Sequence, residues 1–170
     1  MKLLIIMDSL IVAVAQYFPF VVPVVAGMIW LFLPHQDKLG LAVQAIMALV
    51  LAVVLVSLVA AIHTGPRPFV VNPSIRPLFA HPSNNGFPSD HTTLAATVAF
   101  LVMTYRRWLR AMLLAASILV GVARVAAHVH HGKDIVAGAL IALVAAGITT
   151  ATWRWARPRL PRRLAELAFA

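Results

Sequence analysis

Three short clusters of polar residues interrupt a chain that is otherwise strongly apolar. They are Gly65-Pro66-Arg67-Pro68, Pro88-Ser89-Asp90-His91, and a third group formed by Arg124, His130 and Asp134. Together they offer two arginines, two histidines, a serine at the start of an apolar run, and a carboxylate. Such groups are costly to bury in apolar surroundings unless each has a partner or a task. The clusters therefore predict a reactive site.

The residue types fit the binding of a phosphate group. A guanidinium group matches phosphate oxygens bidentately and keeps its charge, so Arg67 and Arg124 could clamp one tetrahedral anion. Ser89 precedes an apolar helix and is an N-cap candidate, and its hydroxyl could also turn towards a phosphate oxygen. The N-terminus of that helix adds backbone N–H groups that favour an anion.

The histidines fit the two chemical roles of phosphoryl transfer. His130 can act as a nucleophile if Asp134, four residues later, holds its other ring nitrogen and stabilises the imidazolium. His91, near the start of the apolar helix, can protonate the leaving oxygen. The set as a whole predicts transfer through a phosphohistidine, with arginine in place of a metal as the electrostatic stabiliser.

Each cluster also has an ordinary structural interpretation. An Arg-Pro pair can be a turn, Ser-Asp before an apolar helix is a common capping pattern, and histidines at an interface often face water. His128, His130 and Asp134 could instead form a metal-binding loop, although two nearby arginines would repel a cation. Arg124 is the hardest to explain without a function, because it lies near the end of an apolar span.

The composition predicts a single-domain integral membrane protein of the all-α class. The chain has 170 residues, of which 62% are hydrophobic and 11% charged, whereas a soluble domain has about 25% charged residues. The net charge of +9 lies in short segments between apolar runs, which is typical of topology determinants and not of nucleic-acid binding. Cysteine is absent, which excludes disulfides and cysteine nucleophiles. The apolar N-terminus continues without a cleavage pattern, so we expect it to be retained.

The apolar runs predict about five transmembrane helices and an N-terminal interfacial helix. The interfacial helix covers residues 3–16, and the spans lie near 18–33, 40–62, 90–105, 110–127 and 135–153. One long, kinked span is the alternative for the first block, which Pro19 and Pro23 interrupt. Residues 34–40 and 106–110 are predicted turns, 63–90 and 128–134 are polar loops, and 154–170 is a basic tail.

The basic residues predict the orientation. One side of the membrane carries nine of the 14 lysines and arginines, in the turns 34–38 and 106–110 and in the tail, and the other side carries five. The positive-inside rule makes the first side cytoplasmic. The loops 63–90 and 128–134, and with them the three clusters, then share the outer face.

The three clusters resemble the type 2 phosphatidic acid phosphatase superfamily of membrane lipid phosphatases. Its pattern is K-x6-R-P, then P-S-G-H, then S-R-x5-H-x3-D. The chain has R-P at 67–68, P-S-D-H at 88–91 and R-x5-H-x3-D from Arg124 to Asp134. The resemblance implies that His130 is the nucleophile, that Asp134 orients it, and that His91 is the general acid and later the base. Phosphate binding by Arg67, Ser89, Arg124 and the backbone of Asp90 follows from it too, with no cofactor or metal.

Three positions depart from the family pattern. Ala60 stands in place of the lysine, Ala123 in place of the serine before the arginine, and Asp90 in place of the glycine. His63 or Arg76 could partly replace the lysine. His128 lies outside the pattern; it could contact a second phosphate, but we prefer an interface histidine that faces solvent.

These departures resemble the bacitracin-resistance branch of the family, which consists of bacterial undecaprenyl-diphosphate phosphatases. The features in common are P-S-D-H, R-P-F-V after position 66, and the approach Ser83-Asn84-Asn85-Gly86. The resemblance implies a multi-pass enzyme of the bacterial inner membrane that converts undecaprenyl diphosphate to the monophosphate at the outer face. This reaction recycles the lipid carrier of peptidoglycan synthesis. The expected partners are that lipid and the bilayer, with no nucleic acid; the sequence does not indicate an oligomeric state.

Other functions remain open at this point. The same residues would serve a phosphatase for phosphatidic acid or phosphatidylglycerophosphate, or a lipid phosphotransferase. A transporter or channel subunit with an anion-binding outer pocket is an alternative of a different class, although the second and fifth spans carry almost no polar groups near mid-membrane. A vanadate-dependent haloperoxidase has a similar anion site, but the apolar spans exclude that soluble class.

Overall fold

The protein is a bundle of α-helices. A computed structural model describes residues 2–102 and 107–159. The elements are α1 (Lys2–Leu31), α2 (His35–Ile62), the single turn α3 (Pro68–Val71), α4 (Asp90–Val102), α5 (Arg107–Ala126), α6 (Gly132–Ala156) and a 3₁₀ turn (Arg157–Arg159). The described ranges contain no β-strand, and the predicted all-α class is confirmed.

α4 is the central helix of the bundle. It packs against α1, α2, α5 and α6. Its middle is built from small or β-branched residues, of which Ala95, Thr97 and Ala99 have no exposed surface. Small side chains let neighbouring helices approach closely, which is how helices associate in a membrane. The polar start of α4 therefore lies among the other helices, at one end of the bundle.

The outer surfaces of the long helices are apolar. Three helical segments, Lys2–Leu31, Asp37–Ile62 and Gly132–Arg159, are long and apolar enough to cross a membrane, and Ala111–Ala126 is a shorter apolar helix. Large apolar side chains such as Ile46, Leu58 and Leu140 are more than half exposed, and surfaces of this kind face lipid rather than water. The predicted polytopic membrane bundle is confirmed.

The N-terminal block corrects one prediction. The predicted break near residue 17 is wrong, because α1 continues without interruption through Pro19 and Pro23. Pro19 is fully buried in the bundle, and neighbouring helices can support the backbone groups that a proline leaves unpaired. One long helix, the alternative that the sequence left open, is found instead of an interfacial helix followed by a span.

Several helices begin earlier than predicted. α2 starts at His35, because Pro34 precedes it and Asp37 lies favourably in its first turn. α5 starts at Arg107, so residues 107–110 are helical and not a turn; arginine and leucine are good helix formers. α6 starts at Gly132 and continues to Ala156, into the predicted tail. The predicted end of the third span at 103–105, residue 106, and residues 160–170 of the tail lie outside the described ranges.

All three polar clusters lie at one end of the bundle. α2 and α5 end there, and α4 and α6 begin there. The proline-rich segment 63–89 crosses this end and is irregular apart from α3, which starts with Pro68 at its N-terminal position. This end of the bundle is where the candidate site is built.

Candidate active site

Five of the predicted site residues are buried together at this end of the bundle. Arg67, Ser89, Arg124, His130 and Asp134 each expose 5% or less of their surface. Such residue types are rarely buried to this extent unless they are paired. The contacts between them therefore determine what the site can do.

The turn between α5 and α6 aims His130 inwards. His128 has a left-handed backbone with φ of 59°, the N–H of Val129 donates to the carbonyl of Arg124 at 3.2 Å, and the N–H of His128 donates to that of Val125 at 3.0 Å. This pair of bonds is a Schellman motif, which ends a helix and reverses the chain. Val129 is then fully buried, and His130 follows at the site.

His130 is held between a carboxylate and a guanidinium. Its Nδ1 lies 3.3 Å from Asp134 Oδ2, and its Nε2 lies 3.3 Å from Nη1 of Arg67. A carboxylate accepts and a guanidinium donates, so the proton is on Nδ1 and the lone pair is on Nε2. Asp134 Oδ2 also accepts the backbone N–H of His131 at 2.8 Å, which fixes the carboxylate at the start of α6. The unprotonated Nε2 of His130 thus faces a cation.

Arg67 uses donors from all three of its nitrogens. Nε and Nη2 donate to Oδ1 of Asn84 at 3.2 and 2.9 Å. Nη1 donates to the carbonyl of Val129 at 2.8 Å, and Nη2 lies 3.3 Å from that of Asn85. These bonds join the proline-rich segment to the α5–α6 turn. The arginine is therefore oriented before any ligand arrives.

Asn85 fastens the proline-rich segment to the end of α2. Its Oδ1 accepts the N–H groups of Gly65 at 2.8 Å and of Phe87 at 3.0 Å. Its Nδ2 donates to the carbonyls of Ala60 and His63. Neither Asn84 nor Asn85 was predicted from the sequence to have a role at the site. The Asn-Asn-Gly sequence is the signal that could have indicated one, since asparagine side chains readily bond nearby backbone.

Ser89 caps α4 and connects it to α6. Its Oγ lies 3.0 Å from Oγ1 of Thr92 and accepts the N–H of Thr92 at 3.4 Å, in the position of an N-cap. Its own N–H donates to the carbonyl of Asp134 at 3.1 Å. A Cβ on Gly138 would lie 2.8 Å from the carbonyl oxygen of Ser89. Glycine is thus required for α6 to approach the start of α4 so closely.

Arg124 differs from Arg67 because one of its donors is unused. Nη1 donates to the carbonyl of Ala15 in α1 at 3.0 Å, and Nη2 donates to Nε2 of His81 at 3.1 Å. Nε is buried and has no hydrogen-bond partner within residues 2–102 and 107–159. A buried donor without a partner is costly, so this N–H is available to a bound anion.

His81 is a site residue that was not predicted from the sequence. Its ring lies edge-on to that of His130, with the ring centroids 6.3 Å apart. The sequence holds seven histidines, and nothing in the local pattern distinguishes His81, because it matches no motif and follows no helix start. Its place depends on the fold of the proline-rich segment.

His91 and Asp90 point in different directions at the start of α4. The ring of His91 packs edge-on against Phe20 of α1 with centroids 5.8 Å apart, and it lies within electrostatic range of Arg124, Arg67 and His81. Asp90 is exposed and lines a cleft of about 380 Å³ between α2 and α4 together with Ser57 and Thr93. The Asp90 carboxylate therefore lies on the α2 side of α4.

Burial and positive charge keep His130 and His81 neutral. Burial, reinforced by the charges of Arg124 and Arg67, holds the pKa of His130 far below its usual range. Burial and the same two arginines also lower the pKa of His81. Burial lowers the pKa of Arg67, and Asp90 and Asp134 oppose that shift. A neutral imidazole with a fixed tautomer is the form in which histidine can attack phosphorus.

The remaining candidates lie apart from the buried cluster. His63 is exposed and packs against the ring of Phe87, and Nδ1 of His128 faces the carbonyl of Arg76 at 3.4 Å. The side chains of His63, Arg76 and His128 make no hydrogen bond to Arg67, Arg124 or His130 in the described part of the chain. Within the described ranges, no three His, Cys, Asp or Glu side chains converge in a group that could hold a metal ion.

Ala60 and Ala123, which differ from the family pattern, both contribute to packing or hydrogen bonding near the site. The carbonyl of Ala60 accepts Asn85, so this position helps to anchor the proline-rich segment. Ala123 is buried in a small apolar cluster with Ala15, Ala127 and Val129. A small apolar residue here lets α1 pack closely against α5 beside Arg124.

Comparison with known proteins identifies the family of the chain. Residues 41–158 match the family model of the PAP2 superfamily. The chain is 27% identical to the bacitracin transport permease protein BcrC of Bacillus licheniformis, over 91% of this chain and 73% of that protein. It is 25% identical to the undecaprenyl-diphosphatase BcrC of Bacillus subtilis strain 168, over 82% and 71%.

A solved structure has the same arrangement of helices. The crystal structure of Aquifex aeolicus LpxE superposes with a TM-score of 0.72 at 25% identity, and the match covers 86% of each chain. The family match includes more than half of the sequence and all of α4, α5 and α6. The chain therefore belongs to the PAP2 superfamily and is a membrane-embedded lipid phosphatase.

Proposed function

We propose that the protein hydrolyses undecaprenyl diphosphate to undecaprenyl phosphate and inorganic phosphate at the outer face of the bacterial inner membrane. The observation that carries this proposal is the buried His130, whose Nδ1 faces Asp134 and whose Nε2 faces Arg67. A second arginine with an unused donor lies in the same cluster. This arrangement fits a phosphoryl acceptor beside an anion-binding site.

Substrate binding uses the donors that converge on the cluster. The terminal phosphate takes the free Nε–H of Arg124 and one N–H of Arg67, and Ser89 and the first N–H groups of α4 complete the site. The long 3.3 Å contact between Arg67 Nη1 and His130 Nε2 is weak for a hydrogen bond. Arg67 can exchange it for a phosphate oxygen, which also frees the nucleophile.

The first chemical step forms a phosphohistidine. The lone pair of His130 Nε2 attacks the terminal phosphorus, the bond from phosphorus to the bridging oxygen breaks, and that oxygen leaves with the lipid monophosphate. His91 donates a proton to the leaving oxygen. Asp134 balances the positive charge that develops on the imidazole, and the arginines stabilise the charge on the transferring group.

The second step releases phosphate. His91, now neutral, takes a proton from a water molecule, the oxygen of that water attacks phosphorus, and the bond between nitrogen and phosphorus breaks. His130 is restored with its lone pair on Nε2. One water is consumed, and each proton that His91 gives is recovered.

The distribution of charge supports the outer location of the site. The end of the bundle with the three clusters carries the minority of the basic residues, so the positive-inside rule favours a location outside the cytoplasm for it. There the diphosphate head group would reach the cluster while the polyprenyl chain stays beside the apolar helices. The name of the Bacillus subtilis relative supports this choice of substrate.

A transport function is the second candidate, because the name of the Bacillus licheniformis relative describes a transport permease. The central helix α4 provides no continuous polar path. Below the threonines of its first two turns, its buried residues are all alanine, valine and leucine. A hydrolase explains the His130–Asp134 pair, which a permease does not require.

The test is phosphate release by detergent-solubilised protein in the presence of excess chelator. Undecaprenyl diphosphate, phosphatidic acid and phosphatidylglycerophosphate are compared, with His130→Ala as the inactive variant and His35→Ala, at the opposite end of α2, as the matched control. We expect chelator-resistant release that favours the diphosphate, persists in the control and is lost in His130→Ala. Preference for a monophosphate lipid would refute the proposed substrate, and full activity of His130→Ala would refute the phosphohistidine mechanism.

A further inference from the structure

His81 is held in place by the packing of the residues just before it and by a hydrogen bond to the residue that follows it. Just before it, the N–H of Leu78 donates to the carbonyl of Ala127 at 3.1 Å, and Leu78 and Phe79 pack on the apolar cluster formed by α1 and α5. Nδ1 of His81 lies 3.2 Å from the carbonyl of Pro82. A carbonyl only accepts, so the proton is on Nδ1 and the Nε2 lone pair faces the site.

The partner of that lone pair is Arg124. Nη2 of Arg124 donates to it at 3.1 Å, and the carbonyl of Ala15 takes Nη1. Two acceptors on different elements therefore fix the plane of the guanidinium, and the buried Nε–H remains without a partner in the described part of the chain. His81 and Ala15 orient the arginine while the site is empty.

We propose that His81 is a substrate-positioning residue that orients Arg124 in the empty site and binds a phosphate oxygen of the lipid diphosphate as a protonated donor in the occupied site. This inference rests on the proposed function and names a phosphate contact that the motifs do not assign. It also supplies a cation at a site that lacks the family lysine, where the chain has Ala60.

The change of protonation follows from charge and geometry. The groups that face His81 are Arg124 from α5, Arg67 and His130 from the loops, and His91 and the more distant Asp90 from α4. In the empty site the two cations and partial burial keep His81 neutral. A phosphate that draws Arg124 towards itself leaves the Nε2 lone pair facing an oxyanion, which is repulsive. Uptake of one proton turns that repulsion into a charge-assisted hydrogen bond.

The sign of the pH effect is fixed by this proton uptake. Binding consumes a proton at every pH between the pKa of His81 in the empty site and its raised pKa in the occupied site. The KM therefore rises with pH in that interval, by up to about tenfold per pH unit, because each pKa unit corresponds to a factor of ten. At pH values above the interval, the dependence disappears.

Two substitutions separate positioning from a merely structural role. His81→Gln places a neutral amide oxygen near the position of Nε2, so it can accept from Arg124 but cannot gain a proton. His81→Ala removes both functions. We expect His81→Ala to raise KM by roughly 10- to 100-fold while kcat changes by less than about threefold. His81→Gln should retain a nearly normal KM at pH 8 and lose the improvement in KM that wild type gains as pH falls to 6.

The measurement is KM and kcat for undecaprenyl diphosphate from pH 6 to 8 in wild type, both variants and the remote control His35→Gln. The difference between wild type and His81→Gln cancels the titration of the substrate itself. Parallel KM profiles of wild type and His81→Gln, or a loss of kcat in His81→Ala with KM unchanged, would overturn the proposal.

A binding measurement keeps the inference separate from the proposed function. Calorimetric titration of inorganic phosphate in two buffers of different ionisation enthalpy counts the protons taken up on binding. We expect wild type to take up more protons near pH 7 than His81→Gln. If wild type shows this uptake but hydrolyses no lipid phosphate, the proposed function fails and His81 stands as a phosphate ligand. Equal uptake by the two proteins refutes the role of His81.

Discussion

The two arginines of the site are bound in opposite ways. Arg67 donates from Nε, Nη1 and Nη2 to Asn84, Val129 and the other partners on its side of the site. Arg124 is more deeply buried, with 2% of its surface exposed against 5% for Arg67, yet its Nε has no partner in the described part of the chain. Equal charge and similar burial therefore accompany different degrees of hydrogen-bond satisfaction.

The difference indicates that the two sides of the site have different roles. The α6 side of the site, with His130, Asp134 and Arg67, is a hydrogen-bonded network, which in the proposed mechanism orients the nucleophile before substrate arrives. The α5 side, with Arg124 and His81, has a donor that is unsatisfied among the described residues, Nε of Arg124. A hydrogen bond from this donor to an anion would add to the free energy of binding. Substitutions on the first side should reduce kcat and stability, and those on the second side should mainly raise KM.

Asp134→Asn should have the largest effect, because it acts on the nucleophile itself. An amide can present its NH₂ to His130 Nδ1 and so favour the wrong tautomer, and it cannot balance an imidazolium. We expect kcat to fall by about 10³- to 10⁴-fold with little change in the KM for the lipid diphosphate. Phosphate release by the solubilised protein measures kcat and KM, and thermal unfolding checks that the variant is folded. An activity within tenfold of wild type would refute the orienting role of Asp134.

The pair Arg67→Lys and Arg124→Lys tests the comparison directly. Lysine keeps the charge but cannot reproduce the fork of donors. Arg67→Lys should destabilise the protein by about 3 kcal/mol, since several buried bonds are lost, and should reduce kcat. Arg124→Lys should cost about 1 kcal/mol and raise KM by roughly 10- to 100-fold. If the two variants showed equal shifts of the unfolding midpoint and of KM, the proposed difference between the α6 side and the α5 side of the site would be refuted.

Gly138→Ala tests whether close packing of α6 on α4 supports the α6 side of the site. The added Cβ would lie 2.8 Å from the carbonyl oxygen of Ser89 and 2.9 Å from Thr93 Oγ1, so the helices must separate. We expect a loss of about 1–3 kcal/mol in stability and a tenfold or greater loss of kcat. Gly147→Ala on the same helix is the matched control, because a Cβ added there would meet no neighbouring atom of the described residues within 4 Å. Identical behaviour of the two variants would contradict the packing role.

His128→Gly should have the smallest effect and the opposite sign. His128 adopts a left-handed backbone at the end of α5, a conformation that glycine adopts without the steric cost of a Cβ. The variant should gain up to about 1 kcal/mol in stability with kcat and KM unchanged. A clear rise of KM would instead restore His128 as a phosphate contact.

The sequence predicts the chemical groups of the site better than their surroundings. The spacing Arg124, His130, Asp134 places a carboxylate one helical turn beyond a histidine, and such a local relation survives folding. The Asn-Asn-Gly sequence indicates asparagines that bond to backbone groups. Which residues Asn84, Asn85 and His81 contact cannot be read from the sequence, because their partners are distant along the chain. Arg124, for example, lies 43 positions from His81 and 109 from Ala15.

The helix boundaries also could not be predicted fully from local sequence. Two prolines in the first apolar block favour a break, but burial of Pro19 against the bundle lets one helix continue. Polar turns were predicted at residues 34–40 and 106–110, yet α2 and α5 begin within them, because polar residues are well tolerated in a first helical turn. Tertiary support therefore outweighs local preference where the two disagree.

By itself, the sequence determined that this is a helical membrane protein, and it predicted a phosphate-binding, histidine-based site, because composition, apolar run length and motif spacing depend only on residue order. Only the tertiary structure decided which arginine is satisfied and which keeps a free donor, and which of the seven histidines enter the site. Hydrogen-bond partners across a bundle are selected by three-dimensional packing, and residue order does not encode them locally.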